Sequence, residues 1–419
     1  MITRRDLLES ARAGALLAGA GHVLSHSFVR RANAEGTAVD VPPYVSSQLS
    51  EGTRQEVVLD ALPGKQPLIK LSYRPPNYET PIDLLRGPIT HNDAFFVRYH
   101  LSAIPRVSAQ DWRLSVSGDG AKGTTSLGLD DLRQMPAAEV TAVCQCSGNR
   151  RGLFDPHVPG VQWGYGAMGC ARWKGVRLKD ILARAGLKTN AVEIVLAGTD
   201  KGPLDKTPPF VKSIPMWKAL EDTTLVVYEM NGEPLPHWNG FPARLVVPGW
   251  TATYWMKHIS HIEAVTKPFD GFWMKSAYRI PVDRFPTVAR FVSQETAVNT
   301  PITEMVVNAL ITSHVDGATV PAGGKVAISG VAWDAGYGIN EVAISTDGGH
   351  TWTAAALGED LGRFAFRPFT YTFSAPAAGT SRVMARATNR IGQTQSAALI
   401  ANPAGYHHNV IQTLNLISA

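Results

Sequence analysis

The feature that most restricts the fold is a period-two pattern in the last third of the chain. Lys325-Val-Ala-Ile-Ser-Gly-Val-Ala-Trp-Asp334 and Glu341-Val-Ala-Ile-Ser-Thr346 alternate apolar and polar residues. Successive strand side chains point to opposite faces, so such runs suit sheets with one buried side. Asp347-Gly348-Gly349 supplies a tight hairpin before Thr351-Trp352-Thr353. Phe369, Tyr371 and Phe373 share one face of a further strand, and Val383, Met384 and Ala385 open the next. Short strands at this spacing predict an immunoglobulin-like sandwich over residues 299–419. A sandwich alone also suits a binding module, so the functional weight rests on what precedes it.

Residues 88–298 mix strands with short helices. Leu178, Ile181, Leu182 and Ala185 fall on one helical face, and Gly186 follows as a C-terminal cap. Residues 191–198 and 224–228 are short β-rich runs ended by turn residues. The expected architecture is therefore α+β, followed by an all-β sandwich. Residues 35–87, rich in Pro, Ser and Thr, are expected to form an extended arm. Residues 1–34 carry a twin-arginine pattern, Thr3-Arg4-Arg5-Asp6-Leu7-Leu8, then an apolar run from Ala13 to Leu24. Ala32-Asn33-Ala34 supplies the small residues a signal peptidase reads, which puts cleavage before Glu35. The apolar run is too short and too rich in Ala and Gly for a membrane span. The expectation is a periplasmic protein, exported already folded and without membrane insertion.

At 419 residues the chain is long enough for two or three domains. Its 40 Lys and Arg against 35 Asp and Glu leave a net charge of only +5, with no basic block, so no nucleic-acid partner is expected. The three cysteines, Cys144, Cys146 and Cys170, are too few for a disulfide scaffold. Cys144 and Cys170 read as small buried apolar residues, with a disulfide between them as the open alternative.

The most informative stretch for chemistry is Val143-Cys144-Gln145-Cys146-Ser147-Gly148-Asn149-Arg150-Arg151. A thiolate at Cys146 suits a soft or high-valent transition metal. The adjacent guanidinium groups offer permanent, bidentate recognition of an oxyanion and favour the ionised thiol. The bland alternative is a free cysteine in a basic loop.

This segment resembles the Cys-(Ala/Ser)-Gly-Asn-Arg-Arg signature of the sulfite oxidase family. Phe96-Val97-Arg98-Tyr99-His100-Leu101 and the block from Tyr228 through Gly249 are similar to two further family segments, in order and at family-like spacing. The similarity runs from about residue 66 to near the C-terminus. It implies a molybdenum-molybdopterin cofactor with Cys146 as the protein's metal ligand. It also implies a pocket in which Arg98 and Arg151 bind sulfite, Tyr278 assists at the metal's oxygen, His100 contacts pocket or cofactor, and Trp163 closes the cavity. Arg244, Lys257, Asp200 and Ser213 match cofactor-cradle positions, with Phe96, Asn239, Trp255 and Met256 beside them. The C-terminal sandwich would be a dimerisation domain, giving a homodimer or a heterodimer with a cytochrome. No cytochrome b5-like domain and no haem-attachment motif is recognisable, so a separate c-type cytochrome is the expected electron acceptor.

Three departures from the vertebrate pattern stand out: Asn239 where a histidine is expected, Tyr99 where an asparagine is expected, and a tail, Asn402-Pro403-Ala404-Gly405-Tyr406-His407-His408, without an arginine. A histidine of that tail could take the arginine's part. Other readings are a sulfoxide reductase on the same scaffold, which the Asn149-Arg150-Arg151 continuation disfavours, and an exported binding protein without cofactor.

Overall fold

The computed structural model describes residues 58–419. The signal-peptide reading and the first part of the arm lie outside the described residues.

From Val58 the arm is more ordered than its composition suggests. Val58–Asp60, Leu68–Ser72 and Asn77–Glu79 form an antiparallel sheet completed by Val97–Arg98. Asn77 pairs with Arg98 in that register, so this sheet fixes the backbone of one expected anion ligand. Tyr78, Val97 and Tyr99 are buried beneath it. The arm therefore earns its order by supplying an apolar face, which its Pro and Ser content conceals.

The central region holds two larger sheets. One is five-stranded in the order Val211–Pro215, Glu193–Gly198, Ile259–Val265, Leu114–Ser117, Thr125–Leu127. The other runs Glu233–Pro234, Leu225–Met230, Met168–Arg177, Ala137–Gln145, with Arg244–Val246 also paired to Leu225–Met230. The expected helix spans Leu178–Ala185 and buries Leu178, Ile181, Leu182 and Ala185. It stops at Gly186, whose φ of +74° suits a residue without a Cβ.

The C-terminal region is a two-sheet sandwich. Asn308–Ile311, Lys325–Trp333, Arg367–Ser374 and Ala356–Leu357 make one sheet. Thr319–Val320, Gln412–Ser418, Gly379–Asn389, Ile339–Ser345 and Thr353–Ala354 make the other. Phe369 and Phe373 are buried between them, as the alternation requires. The strand expected to open at Val383 already starts at Gly379.

A separate apolar cluster joins the two regions: Val143, Met168 and Cys170 pack with Leu310, Val331, Trp333 and Phe366. Three polar links reinforce it. Val143 donates its amide to Phe364 O at 2.9 Å. Trp333 Nε1 donates to Gln145 Oε1 at 2.6 Å, and Arg150 donates to Asn308 Oδ1 and Ala309 O. Among the described residues, no helix is long and apolar enough to cross a membrane.

Burial pushes the imidazoles of His258, His407 and His408 down to about 3. An unfolded histidine titrates near about 6.5, so below that pH the unfolded chain binds protons that the folded chain refuses. Stability is then lost as pH falls, at about 1.4 kcal/mol per pH unit for each such histidine. Urea midpoints measured from pH 7 to pH 5 should drop steadily, and His407→Gln should make that slope shallower by about one proton. An unchanged slope would contradict a neutral, enclosed His407.

Candidate active site

The Ala137–Gln145 strand runs directly into the cysteine motif. Side chains two apart on a strand share a face, and Cys144 and Cys146 accordingly line the same cavity. All three cysteines are free thiols, which excludes the disulfide alternative. Cys144 is a wall residue with its Sγ 3.9 Å from Arg244 Nη2, rather than simple apolar filling. Cys170 does sit in the apolar seam between the two regions.

After Cys146 the chain turns sharply. Asn149 donates to Cys146 O, Arg151 to Gly148 O, and the Asn149 side chain accepts from the Ala167 amide. A Cβ on Gly148 would lie 2.5 Å from the Arg151 guanidinium, so the glycine is what lets that group lie across the turn. Glu79 pins the opposite loop by accepting from the amides of Gly164 and Gly166.

The two arginines of the motif part company. Arg150, with φ of +67°, points away into the seam and stacks near Tyr165 and Trp333. It is a strut between the regions, bonded to Asn308 and Ala309 of the sandwich. Arg151 donates to Ala404 O and Val161 O and lies over the Tyr406 ring. It stands behind the cavity wall, yet its charge still acts on the Tyr278 hydroxyl.

Arg98, His100 and Tyr278 converge on the cavity. Arg98 Nη2 lies 3.3 Å from His100 Nε2, and the Tyr278 hydroxyl contacts the same nitrogen. A guanidinium only donates, so the imidazole must present a lone pair. Burial, and then the Arg98 charge, holds His100 well below the usual histidine range, which keeps it neutral. Burial raises the Tyr278 phenol while Arg98 and Arg151 oppose that shift. Tyr278 also has φ of +59°, a strained conformation for a bulky side chain of the kind that gathers at functional sites.

The remaining expected residues divide. Phe96, Asp200, Asn239, Arg244, Trp255, Met256 and Lys257 line the cavity. Ser213 is fully buried with its Oγ unpartnered but does not line it. Trp163 is fully buried behind Phe96, ring centroids 6.5 Å apart, so it backs the wall rather than closing the cavity. The tail departs as well: His407 packs on Phe285 and His408 on Phe154, and neither reaches the cavity.

Two of the sequence departures acquire partners. Asn239 Oδ1 accepts from Lys65 Nζ at 2.7 Å, a buried contact from the arm. Tyr99 donates to His258 Nε2 at 2.7 Å, because His258 Nδ1 already donates to Phe241 O. Lys212, Phe210, Thr253 and Lys65 were not legible as site residues. Lys212 is buried, donates to Trp273 O at 2.7 Å, and lies over the rings of Tyr254 and Tyr278. Nothing in the run Val211–Pro215 marks its lysine as anything but a solvent-facing strand residue.

The cavity is short of negative charge. Arg98, Arg244 and Lys257 line it against Asp200 alone. Burial, and then Arg244, pushes Lys257 well below its usual range, and burial also lowers Arg244. Arg244 Nε and Thr253 Oγ1 are buried without partners. Uncompensated buried cations are costly. A phosphorylated, hydrogen-bonding cofactor fits this donor set. Among the described residues, no three His, Cys, Asp or Glu cluster to hold a metal ion. A metal bound at Cys146 would therefore take most of its ligands from that cofactor.

The comparisons agree with this geometry. The chain matches the family profile "Oxidoreductase molybdopterin binding domain" over residues 100–273 and "Mo-co oxidoreductase dimerisation domain" over residues 299–416. It is 36% identical to the mitochondrial sulfite oxidase of Rattus norvegicus over 70% of this chain and 54% of that protein. It is 32% identical to the sulfite oxidase of Arabidopsis thaliana over 72% of this chain and 79% of that protein. The chain spans about half the length of the mammalian relatives it matches. A chain in the crystal structure of the sulfane dehydrogenase SoxCD from Paracoccus pantotrophus superposes with a TM-score of 0.71 at 28% identity, covering 90% of this chain and 92% of that one. The cofactor is thus molybdenum-molybdopterin, and Lys257 offers a test of its cradle. Lys257→Met should cut molybdenum content per chain about tenfold at limiting cofactor, while the cofactor-free protein melts no lower, since a buried ammonium that is costly to desolvate has been removed. A parallel loss of melting temperature would make the lysine a structural residue. Two domain matches, colinear relatives and a thiol set among buried cations together establish that this chain belongs to the sulfite oxidase family.

Proposed function

We propose that this protein oxidises sulfite to sulfate and passes the electrons singly to a c-type cytochrome. The observation that carries the reading is the grouping of Arg98, neutral His100 and Tyr278 on the cavity that also exposes Cys146, with Arg151 behind. When bound, the molybdenum cofactor supplies oxygen-atom transfer and a two-electron store.

The protein's own contribution is binding and orientation. Arg98 and Arg151 attract an oxyanion and disfavour cationic substrates. They are fixed before the substrate arrives, Arg98 by its strand and a bond to Asn77 Oδ1, Arg151 by two backbone carbonyls. Charge that grows on the transferred oxygen then meets donors that need no rearrangement. Tyr278 offers a hydroxyl that stays protonated at neutral pH, and His100 accepts from it or from Arg98. Phe210 and Trp273 crowd His100 at 4.2 and 4.9 Å between ring centroids, which supports a preference for a small substrate.

The likeness to SoxCD over 90% of the chain supports a second reading, oxidation of sulfane sulfur at the same centre. The paired arginines favour the free oxyanion. Thr3-Arg4-Arg5-Asp6 supports export to the periplasm in the folded state, and the dimerisation-domain match supports assembly through the sandwich.

Protein exported through its own signal should reduce cytochrome c on addition of sulfite, with about one molybdenum per chain. Metal without sulfite turnover would sink the sulfite reading in favour of the sulfane one. Arg151→Gln should raise KM for sulfite several-fold, through loss of the positive charge behind the pocket wall, with a smaller effect on kcat. An unchanged KM would remove Arg151 from substrate binding.

A further inference from the structure

The tail at 402–408 returns to the site in an unexpected way. It belongs to the C-terminal sandwich, in the connection between the strands Gly379–Asn389 and Gln412–Ser418. Asn402 ties the loop on itself, donating to Tyr406 O at 2.9 Å and accepting from the Tyr406 amide at 3.0 Å. That double tie holds Tyr406 inward, where it is only 8% exposed.

Two groups of the anion pocket lean on this loop. The Tyr406 ring stacks on the Tyr278 ring with centroids 5.6 Å apart and planes within 9°. The Arg151 guanidinium lies 5.2 Å from the Tyr406 ring centroid, and its Nε donates to Ala404 O at 2.9 Å. Between these contacts sits Gly405 with φ of +62°. A Cβ there would come within 2.4 Å of Val158 and 2.8 Å of the Arg151 side chain. The loop thus approaches Arg151 as closely as a backbone without a side chain allows.

We propose that Tyr406 is a positioning residue of the anion pocket, through which the C-terminal domain sets the orientation of Arg151 and Tyr278. The inference rests on the proposed anion site and goes beyond it: the domain matched as a dimerisation module also tunes substrate affinity. The aromatic face holds a guanidinium that is otherwise bound only through backbone carbonyls. The stacked pair holds the phenol of Tyr278, whose backbone is strained and gains from an outside constraint. Neither function needs the Tyr406 hydroxyl; both need the ring.

The test compares Tyr406→Met with Tyr406→Phe in the cofactor-loaded protein. Methionine keeps the apolar packing with Ile280, Phe285, Ile302 and Val306, so the fold survives, but it offers no aromatic face. Tyr406→Met should raise KM for sulfite about tenfold with a smaller fall in kcat, and Tyr406→Phe should recover most of that affinity. Sulfate binding by calorimetry reads the same pocket without turnover, and should weaken by a similar factor in the methionine variant only. Methionine and phenylalanine variants that behave alike would overturn the proposal, as would wild-type protein that binds no sulfate. If sulfite is not turned over but the sulfate difference persists, the substrate assignment fails and the role of Tyr406 stands.

Discussion

The site depends on one strand being gripped from both sides. Ala137–Gln145 pairs along its length with Met168–Arg177 in the catalytic region. On its other flank, Val143 bonds to Phe364 and Gln145 bonds to Trp333 of the sandwich. A strand end is a soft place to hang a site residue, since its last residues have few pairing partners. Here the sandwich supplies the missing ones, and Arg150 ties the turn itself to Asn308 and Ala309. Cys146 is thereby presented at a junction between domains rather than within one of them, and the two regions serve one centre.

Electrostatics then decides what the junction holds. Buried arginines and lysines without acidic partners raise the free energy of the folded protein, and a polyanionic cofactor offsets that cost. The same surplus at Arg98 and Arg151 suits an anionic substrate. Neutral groups are set among these charges, His100 by burial and Tyr406 by its ring, so the pocket gains donors and aromatic faces without gaining counter-ions that would compete with the anion. The strained backbone of Tyr278 and the left-handed Gly405 mark where the chain departs from comfortable geometry to bring the two regions into contact.

Much of this was readable along the chain because the relevant rules are local. Strand alternation revealed the sandwich, since solvent lies on one side of each sheet. The helix Leu178–Ala185 followed from its apolar stripe and glycine stop, and the cysteine beside arginines pointed to the stretch that lines the cavity. Where sequence reasoning went astray, the local pattern was ambiguous. Arg150 and Arg151 are adjacent and chemically identical, yet a left-handed φ at Arg150 sends their side chains in different directions. Trp163 and Ser213 carry suitable chemistry but are buried away from the cavity lining.

The sequence by itself determined the α+β region, the sandwich and most of the residues that line the cavity, Cys146 among them, because periodicity, caps and short motifs act within a few residues of one another. Only the tertiary structure decided that Lys65 of the arm would hold Asn239, that buried Lys212 would lie over Tyr278, and that Tyr406 rather than a histidine would face Arg151. Those choices join residues far apart in the chain. They depend on which side chains share a low-dielectric space once the two regions close on each other, and no local pattern records that.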